Sequence, residues 1–133
     1  MKDYLGIQLT DEQLQTISVL GLAHIGDGVY ELLVRTWLCA NGKTTSQGLH
    51  RKTVSYVRAA AQATAVAGIM DKLSEAEQAV FKRGRNAKVN SVPKNADISE
   101  YHAATGLETL FGYLYLKGER DRINELFGLI VEG

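Results

Sequence analysis

Two acidic residues stand where the sequence leaves little room for charge. Asp27 lies within LAHIGDGVYELLV and Glu108 within AATGLETLFGYLYL, each inside an apolar segment with helical spacing. An ionised carboxylate in such a segment is costly unless it is paired or bound to a metal. Two acids delivered by two interior helices can meet on one divalent cation, and oxygen-only ligation suits Mg2+, which keeps several waters and needs few protein carboxylates. A cation held this way generates a hydroxide nucleophile and stabilises charge on a phosphoryl group in transfer. Structural hydrogen bonds or ion pairs are the other account of these acids. Glu31, four residues before Arg35, illustrates it, in the favourable order for a helix pair. Gly26 and Gly28 flank Asp27, and Gly106 stands two residues before Glu108. A glycine within a helix costs up to about 1 kcal/mol. Close helix approach, access for a bulky substrate, or plain tight packing would each account for it.

The elements that must carry these acids read as helices almost throughout, and the fold class expected is all-α. The chain of 133 residues holds one proline, Pro93, and suggests one domain over 1–133. Thr10 with Gln13 forms a capping box for a helix over 11–17, and Ser18 caps a long apolar helix over 19–40 that should sit centrally. Asn41-Gly42 ends it. Ser46 caps a third helix over 47–69, with Leu49, Thr53, Tyr56, Val57, Ala60 and Thr64 inward and Arg51, Ser55, Arg58 and Gln62 on the polar side. Ser74 and Glu77 open a helix over 75–86, and Lys88–Ala96 reads as a loop broken by Pro93. Asp97 and Glu100 open a helix over 98–117, Gly118 stops it, and a last amphipathic helix covers 119–131.

The net charge is zero, but it is segregated. Residues 32–96 carry eleven basic and three acidic residues, a net +8, while each flank is −4. Such a chain can present a basic surface to a polyanion; flanks folding back to neutralise the middle is the alternative. Lys82, Arg83, Arg85, Lys88 and Lys94 fall within thirteen residues that contain no acid. No apolar run reaches eighteen residues, so no membrane span is expected, and the N-terminus shows no signal-peptide pattern. The single cysteine, Cys39, fits a reducing cytoplasm and, beside Trp37 and Leu38, should be buried.

Three motifs in order resemble the ribonuclease III family. His24-Ile25-Gly26-Asp27-Gly28-Val29-Tyr30-Glu31 is similar to its signature, and Thr105 to Leu116 to its second acidic helix. Lys82-Arg83-Gly84-Arg85-Asn86-Ala87-Lys88 with Val92-Pro93-Lys94-Asn95 resembles the basic loop of the Mini-ribonuclease III branch, which lacks a double-stranded-RNA-binding domain; no length remains here for one. The resemblance implies a ribonuclease III catalytic-domain fold, a helical bundle working as an intimate homodimer. It implies a Mg2+-dependent endoribonuclease that cuts double-stranded RNA to 5′-phosphate and 3′-hydroxyl ends, in maturation of large-subunit ribosomal RNA. No organic cofactor is implied. Asp27 and Glu108 match the catalytic metal ligands. Full-length family members carry a glutamate four residues before the signature aspartate and an aspartate three residues before the second glutamate. Here those positions are Ala23 and Thr105, which leaves few acids around the site. His24, beside the acids, could touch a phosphate or pack as a neutral core residue, and packing is the expectation.

RNA contact is expected from Lys82, Arg83, Arg85, Asn86, Lys88 and Lys94, with Asn95 as a further hydrogen-bonding side chain, because A-form RNA is read mainly by shape, phosphate and 2′-hydroxyl contacts. A second strip comprises His50, Arg51, Lys52 and Arg58. Two other classes compete. A non-catalytic module gripping duplex RNA is favoured by Ala23 and Thr105. A di-iron bundle needs Glu-x-x-His pairs, and none stands before His24, His50 or His102. Cys39 has no histidine near it in sequence that would activate it as a nucleophile.

Overall fold

In the computed structural model, which describes residues 1–42, 45–88 and 92–133, polar side chains open most of the helices. The Thr10 hydroxyl accepts from the Gln13 N–H and the Gln13 side chain accepts from the Thr10 N–H, starting α1 (Asp11–Gln15). Ser18 accepts from the Gly21 N–H at 3.0 Å and starts α2 (Val19–Ala40). Ser74 and Glu77 form the reciprocal box of α5 (Glu75–Arg85). Asp97 accepts from the Glu100 N–H and starts α6 (Ile98–Lys117), which Gly118 ends at a φ of +84°. The last helix is α7 (Arg120–Glu132). No strand occurs among the described residues.

The third expected helix is two. The cap is Thr45 rather than Ser46, and α3 (Ser46–Val57) ends at Arg58, whose extended backbone (φ −65°, ψ 155°) separates it from α4 (Ala59–Ile69). Neither proline nor glycine marks the break. Packing decides it: α3 lies against α2, whereas α4 packs on α6 and α7, and tertiary contacts override the helical propensity of the alanine-rich stretch. The change of direction resets the helical phase. Gln62, expected on the polar side, is buried, and Thr64, expected inward, is exposed.

The centre of the fold is α6, not α2. Ten of its residues are buried, and it touches α1, α2, α4, α5 and α7. By contrast α2 buries one stripe, Leu22, Ala23, Gly26, Tyr30 and Val34, and leaves Leu20 and Leu32 43% and 62% exposed. The Tyr30 ring meets Phe111 and Phe127 edge-on at 5.3 and 5.9 Å. Two glycine contacts bring backbones together at α6. A Cβ on Gly26 would collide with the Glu108 carbonyl, and one on Gly112 with the Leu22 carbonyl. A Cβ on Gly84 would collide with Thr109, and one on Gly106 would lie 2.6 Å from the Phe81 ring. Between α5 and α7, Arg122 donates to both Glu77 carboxylate oxygens at 2.8 Å. No helix of the described residues is long and apolar enough to cross a membrane.

Candidate active site

The α2–α6 crossing determines where the two acids meet. Gly26 rests on the Glu108 carbonyl, so Asp27, one residue on, reaches the Glu108 side chain. Asp27 lies on the exposed side of α2, which corrects its expected place in the interior; Glu108 is half-buried. Burial pushes the Glu108 carboxyl up to about 7, and the Asp27 charge and a carboxyl–carboxyl hydrogen bond push the same way. The Gln62 amide opposes them. Glu77 behaves in the opposite sense, because the Arg122 guanidinium holds its carboxyl below the usual range. Among the described residues neither Asp27 nor Glu108 has such a counter-cation. Glu31 does, accepting from Arg35 Nε at 2.9 Å.

Gln62 is the neighbour that sequence spacing missed. It is 2% exposed, and its Nε2 donates to the Val57 carbonyl at 2.8 Å and to Glu108 Oε2 at 3.3 Å. Its place depends on the break at Arg58, and no local residue signals that break. No third acid joins the pair. Ala23 is buried, and the buried Thr105 hydroxyl donates to the Tyr101 carbonyl. Among the described residues no cluster of three or more His, Cys, Asp or Glu is present. His24 is exposed one turn before Asp27 rather than packed, because α2 keeps that side uncovered. Cys39 is exposed rather than buried, and shares a surface cavity of about 250 Å³ with Arg35 and His50 from α2 and α3.

The basic residues are carried on α5, which packs against α6. Gly84 seats the last turn of α5 on Gly106 and Thr109 of α6, and that turn displays Lys82, Arg83 and Arg85 to solvent. Arg85 lies 5.7 Å over the Phe81 ring and donates to Asn86 Oδ1, Asn86 being the C-cap. Arg83 also borders a cavity of about 350 Å³ with Asp11, Gln15, Tyr113 and Lys117. Lys88, Lys94 and Asn95 are exposed; the loop residues 89–91 between them lie outside the described residues. His50, Arg51 and Lys52 are exposed on α3, and Arg58 is exposed at the break.

Comparison with known proteins agrees with this fold. The Ribonuclease III domain profile matches residues 20–119. The Mini-ribonuclease 3 of Clostridium tetani is 44% identical over 98% of this chain and 87% of its own. That of Thermoanaerobacter sp. is 46% identical over 93% and 87%. A crystal structure of a Fusobacterium nucleatum protein superposes with a TM-score of 0.80 at 28% identity, covering 87% of this chain and 94% of its own. With its fold and nearly its whole length shared in this way, the chain belongs to the ribonuclease III family, in the Mini-ribonuclease 3 branch, and is an endoribonuclease, a hydrolase of phosphodiester bonds.

Proposed function

We propose that this chain cleaves double-stranded RNA with Mg2+ at a centre formed by Asp27 and Glu108, leaving 5′-phosphate and 3′-hydroxyl ends. The observation that carries the reading is the meeting of two carboxylates that, among the described residues, have no basic side chain paired with them. Two like charges at a half-buried crossing repel each other, and a hard divalent ion relieves that repulsion. The donors suit Mg2+, because both are carboxylates and Asp27 opens to solvent, which leaves room for coordinated waters and a phosphate. When bound, the ion would activate water and neutralise charge on the phosphoryl group. Asp27 and Glu108 hold the site, one from each helix. Lys82, Arg83 and Arg85 are exposed on the last turn of α5, which packs against α6, and take the phosphates of an A-form duplex, with Asn86, Lys88 and Lys94 extending the contact. His50 and Lys52 on α3 add a second strip.

The chain acts as a single catalytic domain in a homodimer, since cutting both strands needs two sites. The uncovered side of α2 supports this: Leu20, His24, Gly28 and Leu32 follow one another at four-residue spacing, and the two leucines are exposed apolar side chains beside Asp27. Maturation of large-subunit ribosomal RNA in the cytoplasm is the role we assign, in keeping with the branch. The test is incubation of purified protein with a long RNA duplex, in Mg2+ and in EDTA, beside Asp27→Asn. Cleavage in Mg2+ alone, lost by two to three decades in Asp27→Asn with circular dichroism unchanged, is expected from several kcal/mol of lost charge stabilisation. An Asp27→Asn protein that cuts at the normal rate overturns the site, and binding without cleavage by the unaltered protein overturns the reaction.

A further inference from the structure

We infer that Gln62 is a positioning residue that fixes the Glu108 carboxylate for the cation it shares with Asp27; this rests on the reading of the site given above. Gln62 is a long amide at 2% exposure, in a place where a methionine would supply similar volume without polar atoms. Ordering such a side chain costs about 1.5–2 kcal/mol. Its Oε1 has no partner among the described residues, and an unsatisfied buried acceptor costs about 1–3 kcal/mol. What offsets this lies on the nitrogen side. The extended backbone at Arg58 ends α3, and the Val57 carbonyl accepts from Gln62 Nε2 at 2.8 Å. That bond anchors the amide, and the same nitrogen donates to Glu108 Oε2 at 3.3 Å. The Val57 carbonyl can only accept, so it fixes the amide orientation with Nε2 toward it.

The consequence concerns Glu108. Once both carboxylates are ionised, as cation binding requires, their like charges push Glu108 to rotate away from Asp27, and its side chain has several rotatable bonds with which to do so. The Gln62 amide engages one carboxylate oxygen and holds the group at the crossing, leaving the other oxygen for the cation. Three elements thereby converge on one ligand: α6 supplies the carboxylate, α2 its partner, and α4 the residue that orients it. Groups that orient metal ligands in this way typically contribute about 10- to 100-fold in metal affinity.

The experiment measures Mn2+ binding to the RNA-free protein by calorimetry, beside single-turnover cleavage and duplex binding in EDTA. Gln62→Met preserves volume and removes the donor; Gln62→Asn keeps an amide one methylene shorter, and serves if the first variant does not fold. The expected result is Mn2+ affinity weakened about tenfold and a lower kcat, with KM for RNA and duplex affinity in EDTA unchanged. A folded variant with unaltered Mn2+ affinity and kcat overturns the inference, even if it melts earlier, because Gln62 would then only brace the helix break. Asp27→Asn separates the two levels. If it binds Mn2+ as the unaltered protein does, the site reading itself fails; if it loses Mn2+ while the Gln62 variants do not, only the role of Gln62 fails.

Discussion

Glu77 and Glu108 are both carboxylates on packed helices, and their surroundings pull them in opposite directions. Arg122 grips Glu77 with two nitrogens at 2.8 Å and favours its ionised form. That contribution is present above the ordinary carboxylate range and is lost as pH falls through the lowered folded value. Glu108 is buried beside Asp27, and its proton is held more tightly than in the unfolded chain. Its contribution therefore has the reverse sign, full below the unfolded value of 4.5 and lost as pH rises toward about 7. In metal-free protein, Glu108→Gln is expected to raise stability by roughly 1–3 kcal/mol at pH 8 and to change little near pH 4.5. Urea titrations at the two pH values check this, and equal effects at both would refute it. The acids were legible in the sequence because charge amid apolar residues is conspicuous. Gln62, His24 and Cys39 were not, since burial on a helix depends on which side its neighbours cover, and periodicity leaves that open.

At the scale of elements, the site is a by-product of how closely α2 and α6 approach. Gly26 and Gly112 remove the side chains that would keep the two backbones apart, and the crossing they permit brings residue 27 to residue 108. Gly112→Ala would drive a methyl group into the Leu22 carbonyl, with Gly26 N only 2.9 Å away. It is expected to cost about 1–3 kcal/mol or more and to reduce cleavage further than that loss explains, because the carboxylates separate. Gly68→Ala is the control. A Cβ there meets nothing within 4 Å, so the change should stabilise α4 by about 0.5–1 kcal/mol and leave cleavage intact. Denaturant melts with cleavage rates under folding conditions distinguish the pair, and similar behaviour of the two variants would dismiss the crossing as the positioning device. The limits of α2 and α6 could be read from Ser18, Asp97 and Gly118, because capping is local chemistry. The break at Arg58 could not, because the contacts that favour it come from α6 and α7, far along the chain.

At the scale of the whole molecule, a net charge of zero conceals a division of labour. Acidic flanks supply the carboxylates of the α2–α6 crossing, and the basic middle supplies the α5 turn that Gly84 seats on α6. The fold thus combines two charges that need a cation with three that need an anion, on helices packed against one another. The balance has a measurable signature. Duplex binding should weaken steeply with salt, since each phosphate contact contributes about 0.7–0.9 to the slope of log affinity against log salt. Replacing Lys82, Arg83 and Arg85 together by alanine should flatten that slope by roughly two to three units in EDTA. The Mn2+ affinity of the acid pair should stay near its original value, because no ion pair joins the acids to this turn among the described residues. Lys72→Ala, which removes one exposed cation already 3.9 Å from Asp71, should leave the slope unchanged. Fluorescence anisotropy over a salt series reads all three proteins. If the triple variant keeps the original slope, the duplex is held elsewhere, and the α3 strip of His50 and Lys52 becomes the surface to neutralise next.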